Sequence, residues 1–451
     1  MKTRVVKVLL SALIPLLGVF LNISPAMAAT RTVYVDKSLS GNCSNGTYSI
    51  TARACTGSDG DGFTAINPAL AAVTHGDTIL VRSGTYREND CCAGSSHVGF
   101  RIEKSITFKA YNNETVILTY DPNNIPRDTD GTLGSIVYID ITSRLPLLVE
   151  GFQIEGYKPL GCNPIPNVNP TICRGANLEL EWNGAIARAT GNATIRNNRF
   201  YNAGSTALEV SGTRGNLLIE NNDFYDGGFT PREHGIYAGG RQTPGTIKTI
   251  RYNQIHNFSG YGIHIYSDTA NNYEVYGNII YNNQTGGLLL TGGNHKIFNN
   301  TIVNNHGLSG LVFYGTPIPS GDVVKNNIIW GNYSNVYNKA IDIDCGDDGG
   351  NNVFSNNIFG QVSLPSERVL CKNIVSSPHL SQEPLFITAN PGIWSDFRLK
   401  QDSPAINAGA KLGTSYQNLF NPNSSTWPPE TVNQNDATFG WTIGAFAFSH
   451  P

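Results

Sequence analysis

Apolar and polar positions through the middle of this chain recur in phase. Between about Ile186 and Phe359 one phrase repeats: an aliphatic residue, two variable ones, Asn, one variable residue, then an apolar one. The copies are Ile195–Asn198–Phe200, Ile219–Asn222–Phe224, Ile250–Asn253–Ile255, Val275–Asn278–Ile280, Ile297–Asn300–Ile302, Val324–Asn327–Ile329 and Val353–Asn356–Ile358. Their starts lie 24, 31, 25, 22, 27 and 29 residues apart, by subtraction of those numbers. A period in this range marks a solenoid or array.

Between the Asn phrases runs a second one, Gly-aliphatic-x-aliphatic. It reads Gly235-Ile236-Tyr237-Ala238, Gly262-Ile263-His264-Ile265, Gly287-Leu288-Leu289-Leu290 and Gly310-Leu311-Val312-Phe313. Weaker copies are Ala207-Leu208-Glu209-Val210 and Ala340-Ile341-Asp342-Ile343. The alternation has period 2 and belongs to strands. Short strands at this spacing predict a coil that stacks on itself, its strands pairing in parallel about 4.8 Å apart. The repeated Asn is expected at a tight bend, tolerating the left-handed region and bonding its own copies along the axis. The fold class is therefore all-β, a single-stranded parallel β-helix with an Asn ladder.

Toward the N-terminus, Thr32-Val33-Tyr34-Val35-Asp36 reads as a strand. Phe63, Ile66, Leu70 and Val73 have helical spacing, with Asp61 as N-cap, and predict a helix that closes one end of the coil. Gly76-Asp77-Thr78-Ile79-Leu80-Val81 and Gly84-Thr85-Tyr86-Arg87-Glu88 return to strand and turn. Phe152 falls at a ladder position in an earlier coil. Insertions at Asp121–Gly134 and Tyr157–Ala176 are expected to shape a groove. After Gly360 the phase fades, and residues 381–451 are expected to form an irregular cap on the C-terminal end.

The stretch Thr32–Glu88 resembles the start of pectin-lyase-like, right-handed parallel β-helix repeat proteins. Asp396-Phe397-Arg398-Leu399, Ser403-Pro404-Ala405-Ile406-Asn407-Ala408-Gly409 and Ile443-Gly444-Ala445 resemble that family's closing segment. The resemblance implies a right-handed coil over nearly the whole mature chain. It leaves the activity open, because the fold hosts lyases, epimerases, hydrolases and non-enzymes.

Composition adds compartment. Lys2, Arg4 and Lys7, the apolar run Val8–Ile23 and Ala26-Met27-Ala28 read as a secretory signal over residues 1–28. The coil then occupies 29–380. Cleavage removes three basic residues and no acidic one, taking the formal charge from −3 to −6. The chain is expected to be secreted or periplasmic and monomeric, with no basic stripe for nucleic acid and no further membrane span. The eight cysteines suit disulfides in such a compartment. Proximity favours Cys43–Cys55, Cys162–Cys173 and Cys345–Cys371, leaving the adjacent Cys91 and Cys92.

Candidate chemistry lies on the outward positions of the Gly-aliphatic strands. One column reads Glu209, Tyr237, His264, Leu289, Val312, Asp342. The next reads Ser211, Gly239, Tyr266, Thr291, Tyr314, Asp344. His234 and Arg232 precede one of these strands, Arg188 lies a coil earlier, and Arg241 leaves on a loop. A lyase or epimerase on an acidic polysaccharide needs a base for the proton beside the uronate carboxylate, a donor or cation for that carboxylate, and an acid. His264 or His234 is expected as base and Tyr237 or Tyr266 as acid. Arg188, Arg232 and Arg241 are candidates for the carboxylate, with Glu209, Arg241 and Tyr314 lining the groove. His234 alternatively turns the chain and points inward, the tyrosines alternatively stack on a sheet face, and Glu209 alternatively pairs with a cation. Asp342, Asp344 and Asp347, with Asp348, offer a calcium site, a hydrolase carboxylate pair or a solvated acidic loop. Arg196, Glu220 and Arg251 share another column and read as an ion ladder. No Asp-Pro-His signature of alginate epimerases occurs. A glycoside hydrolase and a non-catalytic binding protein remain the alternatives.

Overall fold

In the computed structural model, residues 30–448 are described apart from 90–97, 126–132, 142, 144, 162–172, 174, 182–190, 214, 243–244, 267–270, 316–318, 347–350, 363–368 and 437–439. The proposed signal, Arg188, Asp347, Cys91, Cys92 and Cys162 lie outside the described residues, as does the side chain of Arg241.

Three sheets of 13, 11 and 9 strands wrap one core. Each turn of the chain adds one strand to each, as in Ala193–Arg196, Arg199–Tyr201 and Leu208–Thr213. Neighbours within a sheet come from successive turns and pair in parallel, Ile195 with Ile219 and Ile219 with Ile250. Inward aliphatic and aromatic residues form one continuous core from Val33 to Ile374. The period-2 pattern thus supplies one apolar face per strand, and stacking buries it.

The ladder runs through Asn198, Asn222, Asn253, Asn278, Asn300 and Asn327. From Asn222 onward each side-chain oxygen accepts the backbone and amide N–H of the Asn one coil back, at 3.0 and 3.1 Å for Asn198 on Asn222. Its seventh member is Asn357, not Asn356: Asn327 donates to Asn357 Oδ1 at 2.9 and 3.0 Å. Phe354, not Val353, pairs with Val324, which shifts the last phrase by one residue. The left-handed conformation belongs to the residue before each ladder Asn, namely Asn197, Asn221, Tyr252, Gly277, Asn299, Asn326 and Asn356. Bending and amide bonding are divided between two neighbours. Phe152 does occupy the ladder position, its N–H donating to Asn198 Oδ1 at 3.0 Å.

A second ladder, absent from the sequence reading, lines the next bend. It runs Asn283, Asn305, Asn332 and ends on Asp342. The ion ladder is present: Lys109, Glu150, Arg196, Glu220 and Arg251 are successive Cα partners, with Lys109–Glu150 3.2 Å, Arg196–Glu150 3.0 Å and Arg251–Glu220 2.6 Å apart.

Helix α1 (Ile66–Ala72) closes the N-terminal end, burying Ile66, Ala69 and Leu70. Asp61 is not its cap. Asp61 accepts from Gly46, within a strand, and the Glu88 carboxylate takes the first-turn N–H groups of Ile66 and Asn67, both at 2.7 Å. The carboxylate sits where helix dipole and unpaired N–H groups favour an anion.

At the other end, helix α2 (Val369–Ser376) puts Ile374 into the main core. Residues beyond 381 pack along the side of the coil instead of over its end. Phe386, Phe397, Tyr416, Phe420, Ile443 and Phe446 cluster with Tyr252, Ile279, Phe298 and Ile328 from successive turns. Asn326 Nδ2 donates to Ala410 O and Asn326 Oδ1 accepts from Ala410 N, both at 2.8 Å. Tyr252 Oη donates to Asn418 O at 2.9 Å. These outward apolar residues would otherwise face water, so the segment is a lateral strap.

Cys43 and Cys55 form a disulfide. Cys173 and Cys345 are disulfide-bonded as well, to sulfurs outside the described side chains. Among the described residues no helix is long and apolar enough to cross a membrane.

Candidate functional site

Register in the 9-stranded sheet builds one outward column. It reads Arg101, Tyr138, Glu179, Glu209, Tyr237, His264, Leu289, Val312 and Asp344 as successive Cα partners. Glu209, Tyr237 and His264 therefore stand on consecutive rungs, as the strand phrases imply. Arg101, Tyr138 and Glu179 extend the column and were missed, because their coils lack the Gly-aliphatic phrase. Arg101 lies over the Tyr138 ring, 5.0 Å from its centroid.

The column ends on Asp344, not Asp342. The hairpin Tyr333–Ser334 with Lys339–Ala340 comes between Asn332 and Asp342, so Ile343, not Ile341, pairs with Leu311. Asp342 is 3% exposed and terminates the second ladder. Its Oδ1 accepts Asn332 N and Nδ2 at 3.1 Å, and its Oδ2 accepts Gly360 N at 2.7 Å and Gln361 N at 3.2 Å. With both oxygens so engaged it serves as neither calcium ligand nor solvated loop residue. Asp344 is 9% exposed and accepts Gly346 N. Among the described residues no group of three or more His, Cys, Asp or Glu is placed to hold a metal.

His234 is buried, at 3% exposed, with its ring against Tyr237, Tyr261 and His264. Its Nδ1 accepts the backbone N–H of Tyr261 at 3.0 Å, and its Nε2 lies 2.7 Å from His264 Nδ1. A backbone nitrogen only donates, so His234 Nδ1 is unprotonated and its neutral ring carries the proton on Nε2. That proton is donated to His264 Nδ1, which leaves the His264 proton on Nε2. On Nε2, His264 therefore carries an N–H in place of the lone pair expected of a base. Burial holds the His264 pKa down near 3, and burial together with His264 holds His234 well below the usual imidazole range. Both rings stay neutral at ordinary pH.

His264 Nε2 is shielded from solvent and has no partner among the described residues. Tyr237, Tyr261 and Tyr266 surround it, with ring centroids 5.3, 5.2 and 5.3 Å away. Burial, then Glu209, then Tyr266 raise the Tyr237 pKa, so the phenol keeps its proton and is a donor. Tyr261 is also held protonated by burial. On the C-terminal side, Tyr261, Leu289 and Val312 form a small apolar cluster.

Tyr266 and Tyr314 are 44% and 54% exposed on the neighbouring column. Arg232 is exposed on the loop before His234, where its N–H donates to Thr230 Oγ1 at 3.3 Å. Glu233 beside it is fully buried, and its carboxylate accepts the N–H groups of Cys173 and Phe229. The site thus brings together an acidic pair of rungs, a protonated phenol, an imidazole N–H and an exposed aromatic ledge.

Residues 172–317 match the family model described as a right handed beta helix region. No curated protein matches the sequence. Among solved structures, the chain is similar to the pectate lyase Pel9A, at 16% identity and TM-score 0.57, over 93% of this chain and 97% of that one. It also matches XylC in its complex with xylose, at 12% identity and TM-score 0.47, over 80% and 88% of the two chains. The periplasmic alginate epimerase AlgG matches at 14% identity and TM-score 0.35, over 67% and 75%. The chain has the fold of a right-handed parallel β-helix; at these identities the likeness is one of fold.

Proposed function

We propose that this chain is an exported carbohydrate-active enzyme, a lyase or C5-epimerase acting on a uronate polysaccharide laid against the outer face of the 9-stranded sheet. The observation that carries this reading is the run of Glu209, Tyr237 and His264 on consecutive rungs. Rungs lie about 4.8 Å apart, so a carboxylate acceptor and two proton-bearing donors share one short stretch of the sheet face.

In this reading Glu209 takes the C5 proton. The electron pair left on C5 delocalises into the uronate carboxylate, which the His264 N–H and the cationic candidates Arg188, Arg232 and Arg241 stabilise. In a lyase the pair then forms the C4–C5 double bond, the C4–O bond breaks, and Tyr237 protonates the leaving oxygen. In an epimerase Tyr237 returns a proton to the opposite face of C5. His264 serves as hydrogen-bond donor, because His234 fixes its tautomer. Calcium, where it takes part, would act at carboxylates other than Asp342.

A second reading rests on Glu179 and Glu209, which are direct Cα partners. Two adjacent carboxylates are the equipment of a glycoside hydrolase. Incubation with polygalacturonate, alginate and glucuronan, with and without calcium, separates the readings. Lyase action gives an unsaturated uronate absorbing in the ultraviolet, epimerase action changes C5 configuration by NMR, and hydrolysis gives reducing ends alone. Unaltered polymer in every case would reject the enzyme reading in favour of a binding protein.

A further inference from the structure

Aromatic residues on the outside of this coil fall into two arrangements. On the 11-stranded sheet Tyr201, Tyr225, His256 and Tyr281 occupy consecutive rungs. Their rings stack on one another at centroid distances of 5.5, 5.7 and 4.6 Å, with planes within 13° of parallel. Ring faces there are consumed by the stack, a stabilising use.

On the 9-stranded sheet the pattern differs. The column beside His264 reads Gly239, Tyr266, Thr291, Tyr314, large residues alternating with small. Tyr266 cannot stack on a rung neighbour. Its ring extends over the Thr291 rung instead: a Cβ placed on Gly315 would lie 3.5 Å from Tyr266 Cε2 and 2.9 Å from Thr291 Cγ2. Gly315 has φ +103, where glycine is favoured, and its missing side chain leaves room for the ring. The ring packs at 53° to His264 and remains 44% exposed. Tyr314 rises two rungs from Tyr266, roughly 9–10 Å away along the axis. Beside them, in the His264 column, Leu289 and Val312 form an apolar floor that clusters with Tyr261.

We propose that Tyr266 and Tyr314 form a sugar-stacking subsite on the C-terminal side of His264, which takes pyranose rings of the polymer by their C–H faces. This rests on the carbohydrate reading above and assigns Tyr266 a role other than the acid. Exposed aromatic faces over an apolar floor suit a ring with one apolar face and hydroxyls at its edge. Two rungs span about two sugar units, so the polymer lies along the coil axis here.

The test separates face from hydroxyl. Polygalacturonate, alginate and xylan are cast in native gels, and retardation of Tyr266→Phe, Tyr266→Ala and Tyr314→Ala is compared with the wild-type protein, alongside turnover and circular dichroism. Tyr266→Phe is expected to bind as wild type, while each Ala variant binds roughly five- to tenfold more weakly with its fold intact. Unweakened binding by Tyr266→Ala, or binding by Tyr266→Phe as weak as that of Tyr266→Ala, overturns the subsite. Wild-type binding without turnover rejects the enzymatic reading alone, and the Ala variants still decide the subsite. Binding to none of the three polymers overturns both.

Discussion

His234 Nε2 lies 2.7 Å from His264 Nδ1, and the Tyr261 N–H occupies the other nitrogen of His234. The chain of donors runs one way, from backbone through the buried ring to the outward one. In the proposed function His234 is a positioning residue that acts only through its neighbour. The same device recurs at His295, where Nδ1 accepts the Tyr273 N–H at 3.1 Å and Nε2 bonds Thr291 O at 2.9 Å.

Replacing His234 by Phe removes both bonds and frees the His264 tautomer. Activity is expected to fall on the order of 100-fold, with binding little changed. The unpaired Tyr261 N–H should cost about 1–3 kcal/mol in urea unfolding. Ring nitrogen shifts of His264 by NMR report the tautomer directly; an unchanged tautomer in the variant would refute the relay.

Stability should depend on pH with opposing contributions. Burial depresses the pKa of His264 to about 3 and of His295 to about 4, and burial with His264 holds His234 well below the usual imidazole range. Unfolded histidines titrate near 6.5, so the unfolded chain binds more protons below that pH, and their contribution is lost as pH falls from about 6.5 toward 3. Buried Asp322 behaves oppositely, with its pKa raised to about 7 by burial. Its contribution is present at low pH and lost as pH rises from about 4 toward 7. Asp322→Asn keeps an oxygen for the His295 N–H and cannot ionise. The variant should gain on wild type from pH 4 to 7.5, reaching roughly 2 kcal/mol. A stability difference independent of pH would contradict this.

Asp342 tests ladder against metal. Asp342→Asn retains an oxygen for the Asn332 N–H groups but turns an NH2 toward the Gly360 and Gln361 N–H groups, so it should lose about 1–3 kcal/mol of stability while keeping any calcium response. Asp342→Ala leaves four buried donors unpaired and should lower stability by roughly 3 kcal/mol or more. A selective loss of calcium response in the Asn variant would restore the metal reading.

Neighbouring asparagines should differ sharply. Asn357→Ala removes the acceptor for two Asn327 donors, with an expected cost of roughly 3 kcal/mol. Asn356→Ala loses one bond to Ala408 and its left-handed preference, for about 1–2 kcal/mol. Denaturant midpoints of the two variants decide the register. In the strap, Phe420→Ala should cost about 3–5 kcal/mol and raise binding of a hydrophobic dye, since Phe420 packs on Tyr252.

The coil, its ladder and the shared column of Glu209, Tyr237 and His264 were all legible in sequence, because stacking repeats at a fixed period turns phase into proximity. Other features were not, the second Asn ladder and the rungs of Arg101, Tyr138 and Glu179 among them, and three have a clear physical reason. The last coil slips register at the hairpin before Asp342, and nothing local announces how an insertion is absorbed. The segment after 381 looked like an end cap because its apolar residues lack a period; only the outward tyrosines and phenylalanines of earlier turns show that it must lie alongside. Inward or outward placement of His234 sits at a bend, where strand parity no longer applies. Sequence by itself determined the architecture and which rungs hold polar chemistry. Tertiary structure alone decided which nitrogen of His264 bears the proton, since that depends on a backbone N–H contributed by another turn of the coil.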